Sequence, residues 1–245
     1  MSIRITLGTA RRVLTQLRRD PRTVALLLVV PAVLLSLLRW LLDKSPGSFD
    51  RVGAPVLAIF PFVVMFVVTS VSTLRERTTG TLERLLTMPM HKLDLLVGYA
   101  VAFGAVAIVQ VGVCAALALG PLGLHVAGNP WLLFAIGVLD ALLGMALGLF
   151  LSAFARTEFQ AVQFMPAVVF PQLLLCGLLT ARASMDHALR VVSDLLPLTY
   201  AVDAMQRVTA STGVSRSVAV DVVVVAASAV SALLLGAATL RRRTA

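Results

Sequence analysis

Asp140 stands near the middle of the apolar run WLLFAIGVLDALLGMALGLF, residues 131–150. A carboxyl at the centre of a lipid-embedded helix costs roughly 2.5 to 3.5 kcal/mol, so it must face away from lipid. Two kinds of chemistry fit it. It is a cation or proton site along a substrate path, or a protonated acid hydrogen-bonded to a neighbour such as Gln110 or a backbone carbonyl. An intramembrane enzyme acting on a lipid head group would need a second acid, a histidine or a metal beside it, and none stands at helical spacing from Asp140. His91, His125 and His187 fall in three separate connections without metal-ligand spacing, so no metal is expected. Cys114 and Cys176 lie in apolar runs, where a free thiol behaves as a small hydrophobe. Gln160, Gln163 and Gln172, with Phe164 and Phe170 among them, would offer a drug-sized apolar molecule stacking surface and a few hydrogen bonds. Together with Asp140 they form a candidate substrate path, although such side chains also serve as ordinary bundle packing.

A second concentration of polar groups is RERTTGTLERLLTMPM, Arg75 to Met90. Gly80 is placed to cap a helix, Glu83 three positions later favours its positive end, and Leu82, Leu85 and Leu86 give it an apolar side. Pro89 stops the element. The pattern predicts a short amphipathic helix over 75–90, held between two apolar segments.

The elements that must position these groups follow from composition. The chain has 245 residues, 59% hydrophobic and 13% charged, about half the charged fraction usual in a soluble domain. The expected fold is therefore all-α and membrane-embedded. A crossing helix needs about 20 apolar residues, and six candidates run from Thr23 to Leu42, Ala54 to Leu74, Leu93 to Leu119, Trp131 to Ala155, Phe159 to Leu179 and Val218 to Leu240. Pro166 and Pro171 predict a kink in the fifth. Gly137, Gly144 and Gly148 in the fourth allow close helix approach.

Of 21 basic residues, 14 fall in segments that share one side of the membrane if the amino terminus is cytoplasmic. The positive-inside bias then places both termini in the cytoplasm. The net charge of +9 is explained by these helix flanks, and no aromatic-interleaved basic surface points to nucleic acid. Nineteen arginines against Lys44 and Lys92 suggest a GC-rich bacterial source. Residues 1–20 place Ile3, Leu7, Ala10, Val13, Leu14 and Leu17 on one helical side and Arg4, Arg11, Arg12, Arg18 and Arg19 on the other. That is a helix for the membrane surface, not a cleavable signal peptide.

Three stretches carry a family resemblance. RERTTGTLERLLTMP (75–89), LSAFARTEFQAVQFMPAVVFPQLLLCGLLT (151–180) and LRVVSDLLPLTYAVDAMQRV (189–208) resemble, in that order, segments of ABC-2 type export permeases, in particular the daunorubicin-resistance-like drug export branch. The resemblance implies a single transmembrane domain, 1–245, with 75–90 as a coupling helix that docks on a separate ATPase subunit. Glu76, Gly80, Thr81, Glu83, Leu85 and Pro89 would belong to that contact, and Arg156, Thr157 and Glu158 to a second, smaller one. It also implies that 181–217 folds back at the outer side as short re-entrant or interfacial helices, and that a second permease copy, identical or not, completes the unit.

Function follows from the same reading. The chain has no GxxxxGK[ST] phosphate loop, so ATP and Mg would be bound by the partner ATPase and no cofactor by this chain. The implied activity is export of hydrophobic drugs or secondary metabolites from a bacterial cell membrane, with lipid or glycolipid export as the alternative. A stand-alone proton-driven carrier would be expected to show an inverted repeat, and the sequence offers no convincing one.

Overall fold

A computed structural model of the chain describes residues 3–44, 47–81, 92–213 and 215–239. The described residues form helices and connecting turns. In chain order the helices are α1 (Ile3–Arg18), α2 (Pro21–Leu41), α3 (Ser48–Thr78), α4 (Lys92–Leu119), α5 (Pro130–Leu151), α6 (Glu158–Leu175), α7 (His187–Leu195), α8 (Pro197–Ala210) and α9 (Arg216–Thr239), with a 3-10 turn at Arg182–Ser184. Among them α2, α3, α4, α5 and α9 are long and apolar enough to cross a membrane.

The expected fifth span is the exception. Its helix, α6, ends at Leu175 instead of Leu179 and has 18 residues, about 27 Å at 1.5 Å per residue, short of the roughly 30 Å hydrocarbon core. Glu158, Gln160, Gln163 and Gln172 also dilute its apolarity. Gly177, at φ +90°, takes a left-handed conformation that other residues disfavour, just beyond the helix end. Pro166 and Pro171 both lie within this one helix.

Local signals set the helix starts. Asp20 caps α2, accepting from the Thr23 N–H at 3.2 Å, and Pro21 takes the first turn, where a missing N–H is harmless. Asn129 followed by Pro130 repeats the device at α5, with Asn129 Oδ1 accepting from the Trp131 N–H at 2.9 Å.

The bundle is organised on α3, which buries Phe62, Met65 and Phe66 completely. Its 31 residues span about 46 Å, longer than the hydrocarbon core, so the helix carries Arg75, Glu76 and Arg77 beyond the apolar zone. Against it lies α5. A Cβ added at Gly144 would sit 2.2 Å from the Phe62 carbonyl oxygen, and one at Gly148 2.3 Å from that of Phe66. Those two glycines form the interhelical seam that their spacing suggests.

The helix α1 and the stretch 181–217 divide their apolar residues between the bundle and its outside. In α1 the buried residues are Thr6, Thr9, Ala10 and Val13, whereas Ile3 and Leu7 are exposed. The cause is a close crossing at Gly98 of α4, where an added Cβ would lie 2.6 Å from Thr9 Cβ. Only small side chains fit there, and the bulky apolar ones are left outside. The stretch 181–217 contains α7, whose Leu189, Val192 and Leu195 are exposed, and α8, whose Leu198, Ala201, Val202, Ala204 and Met205 are fully buried. Thus α8 is a core helix, packed on α3, α5 and α9.

Candidate functional site

The polar end of α3 is built by hydrogen bonds that terminate the helix. The Thr79 N–H donates to the Arg75 carbonyl at 3.0 Å and the Gly80 N–H to the Arg77 carbonyl at 3.2 Å, while the Thr78 and Thr79 hydroxyls return to the Arg75 carbonyl. Gly80 has φ +70°, the left-handed closure that glycine supplies at a helix end. Its role toward the described residues is therefore to close α3. Thr81 follows, its hydroxyl 3.1 Å from that of Thr79. Glu83, Leu85 and Pro89 lie outside the described residues.

Glu76 turns inward. Arg12 of α1 donates to it through Nη1 at 3.0 Å and Nη2 at 3.2 Å, and the Tyr99 hydroxyl of α4 donates to the same carboxylate. Arg12 Nη2 also reaches the Tyr99 oxygen at 3.2 Å. The Glu76 side chain is only 12% exposed, so the pair is shielded and worth more than a surface bridge. Burial by itself lowers the Arg12 pKa, but the hydrogen bonds and charge of Glu76 outweigh it and hold the guanidinium above its usual value. Three helices, α1, α3 and α4, are fastened at one point.

A second fastening joins α3 to α6. Arg75 donates through Nε at 3.0 Å and Nη2 at 3.2 Å to the two oxygens of Glu158. Both side chains are about half exposed, and the bidentate geometry matters here more for position than for energy, about 0–1 kcal/mol. Thr157 caps α6 through the Gln160 N–H at 3.1 Å, and the Gln160 side chain accepts from the Arg156 N–H at 2.9 Å. Arg156, Thr157 and Glu158 are exposed beside the end of α3. The structure thus joins Arg75 to Glu158, at the edges of the two expected contact regions, and places Glu76 beneath them as a tie.

The expected substrate-path residues do not converge. Asp140 is fully buried and its two carboxyl oxygens have no hydrogen-bond partner. Gln110 does not reach it, donating instead to the Leu27 carbonyl of α2 at 3.0 Å. Gln160 serves as a cap, and Gln172 bonds the Val168 carbonyl at 3.2 Å and the Leu198 N–H at 3.4 Å, tying α6 to the start of α8. Gln163 and Phe170 are exposed, and Phe164 packs against Leu74, Ala155 and Ala161.

Two cavities lie elsewhere, at opposite ends of α3. One, of about 620 Å³, opens between α1, α2, α3 and α4 near Arg75. The other, of about 1150 Å³, is bordered by Asp50, Arg51, His125, Arg182, Asp203 and Arg207. Neither is lined by any of the six path residues. At the second, Arg182 pairs with Asp194 and Asp203, and Arg207 pairs with Asp221 at 3.0 Å. These charges hold α7, α8 and α9 together.

Arg12 and Tyr99 are the participants that sequence reading misses as a site. Arg12 sits on the basic face of α1 with no local mark setting it apart from Arg11, and its partners lie 64 and 87 residues away.

The family model described as ABC-2 type transporter matches residues 6–209, from α1 through α8. The chain is 27% identical over 175 residues to the probable multidrug ABC transporter permease YbhS of Escherichia coli, covering 71% of this chain and 46% of that one. It is 30% identical over 158 residues to the inner membrane transport permease YhhJ of the same organism, covering 62% and 42%. With ABC transporter G family member 20 of Dictyostelium discoideum it shares 29% identity over 164 residues, 66% of this chain and 22% of the relative. The chain therefore spans less than half the length of these curated relatives. An all-helical, multi-pass membrane chain, its polar helix end tied to a helix at its amino terminus, and matched over residues 6–209, belongs to the ABC-2 type transporter family.

Proposed function

We propose that the chain is the permease subunit of an ATP-binding cassette exporter, that its charged end faces the cytoplasm and receives a separate ATPase subunit, and that it moves hydrophobic drugs or secondary metabolites out of a bacterial cell. The observation that carries this reading is the fastening of α1, α3 and α4 at Arg12, Glu76 and Tyr99, immediately before the segment 82–91. A force applied to that segment would be shared by α3, which enters it, α4, which leaves it, and α1. Motion of the three as one body is the rigid-body kind of switching by which a partner's closure is transmitted. ATP supplies the work only if the ATP-bound partner binds one of the two permease conformations more tightly.

ATP and Mg belong to the partner in this reading, and a second permease copy completes the path. In the drug-exporting reading α6 counts as a sixth crossing, completed past Leu175 by the residues around Gly177, and both termini are cytoplasmic. The multidrug wording in the YbhS name supports drugs over lipids as cargo.

The test is ATP-driven accumulation of a fluorescent hydrophobic cation in inside-out vesicles carrying the chain and its ATPase. Uptake that requires ATP, and falls at least about tenfold in Glu83→Arg with the permease still inserted, is expected, because a reversed charge opposite a complementary surface costs a contact of order 1.4 kcal/mol or more. Uptake independent of ATP would contradict the reading.

A further inference from the structure

The 620 Å³ cavity has an amphiphile's shape in its chemistry. It is a groove open to the outside of the bundle, its apolar walls the exposed Leu26 and Val30 of α2 and the half-buried Val63, Val67 and Val71 of α3, all within the apolar lengths of those helices. Its mouth, at the charged end of the bundle, carries Asp20, Arg75 and Glu76, the last already satisfied by Arg12 and Tyr99. The volume lies within the roughly 300–1,000 Å³ range of small-molecule sites. An apolar groove that ends at a charged rim at the level of helix ends suits a hydrocarbon chain with its head beside the rim.

The rim decides the head group. Asp20 accepts from both the amide and the hydroxyl of Thr23, which leaves lone pairs on both carboxylate oxygens. Those hydrogen bonds, together with the charge of Arg75, hold the Asp20 carboxyl below its usual range, so it is ionised at neutral pH. Arg75 spends Nε and Nη2 on Glu158 and keeps Nη1 free of that bridge. A head bearing only a phosphate would meet the Asp20 carboxylate unfavourably, and one bearing only an amine would leave the Nη1 donor of Arg75, whose charge Glu158 already balances, without an acceptor. A zwitterion satisfies both.

We infer that this cavity is a binding site for one amine-headed phospholipid of the leaflet at that end, its acyl chain between α2 and α3, its ammonium toward Asp20 and its phosphate toward Arg75. The occupant would brace the corner between α1 and α2 against the end of α3. The inference does not rest on the transport reading, because it concerns this chain alone.

The experiment is native mass spectrometry of the delipidated full-length chain titrated with dioleoyl phosphatidylethanolamine or dioleoyl phosphatidylglycerol. The wild-type chain is expected to retain the ethanolamine lipid about tenfold more tightly than the glycerol lipid, the size of one charge-assisted hydrogen bond. Asp20→Asn, which keeps the helix cap, should erase that preference, and Val67→Trp, which fills the cavity, should weaken both lipids. Equal retention of the two lipids by the wild-type chain would overturn the proposal. So would a preference that survives Asp20→Asn, a substitution that leaves the apolar walls untouched and so keeps the test valid if Val67→Trp does not fold.

Discussion

Gly144→Val is expected to lower the thermal midpoint of the purified protein by roughly 6 to 12 °C, the equivalent of about 3 kcal/mol for a chain of this size. The valine Cβ would start 2.2 Å from the Phe62 carbonyl oxygen and 2.9 Å from its carbon. Both atoms belong to backbone in the middle of α3, so neither can rotate away as a side chain would. The helices must part along the seam that Gly144 and Gly148 form with Phe62 and Phe66, and close van der Waals contact is what holds membrane helices together. Overpacking usually costs about 1–3 kcal/mol, and a backbone obstacle puts this site at the upper end. Gly8→Ala is the matching control. Nothing lies within 4 Å of a Cβ at Gly8, and alanine in a helix interior is favoured over glycine by roughly 0.5–1 kcal/mol. Thermal unfolding of both variants in one detergent should show a large loss at position 144 and no loss at position 8.

The second large effect is on coupling. Arg12→Glu and Glu76→Arg are each expected to reduce transport-coupled ATP hydrolysis at least about tenfold, and the double variant to recover most of it. Each single change places like charges where Arg12 and Glu76 now lie 3.0 Å apart, with one partner 12% exposed and the other 26%. Breaking a buried pair costs about 3–5 kcal/mol, and the partial exposure of Arg12 brings this pair to roughly 2 kcal/mol. The exchanged pair keeps its attraction, and the Tyr99 hydroxyl can donate to a carboxylate at position 12 as it does at position 76. Substrate-stimulated ATPase activity of the four proteins checks this. If the single variants stay fully coupled, the tie is structural only.

Five of the six expected crossing helices were readable because each rests on a local property, an apolar window of about 20 residues bounded by signals such as Asp20–Pro21 and Asn129–Pro130. The glycine seam was readable for the same reason, from a spacing of four. The failures are long-range. Within 181–217, expected as short re-entrant or interfacial helices, the burial of α8 was not legible: Asp203 and Arg207 meet Arg182 and Asp221, while Leu198, Val202 and Met205 face the core. Ile3 and Leu7 stay exposed, as a side turned to a membrane surface would be, but nothing local showed that Thr6 and Thr9 would pack on α4 at Gly98. Glu76 read as one acid of an exposed polar run, because nothing local points from it to Arg12 or Tyr99. Asp140 keeps its place at membrane depth, but the residues grouped with it by composition are scattered by the fold.

The most direct measurement is purification of the tagged chain from its native membranes in mild detergent, with quantification of what accompanies it. A soluble protein bearing a GxxxxGK[ST] loop, present in amounts comparable to the permease and lost on Glu83→Arg, is the expected result. The intact chain recovered repeatedly without such a protein would contradict a permease driven through its charged end by a separate ATPase.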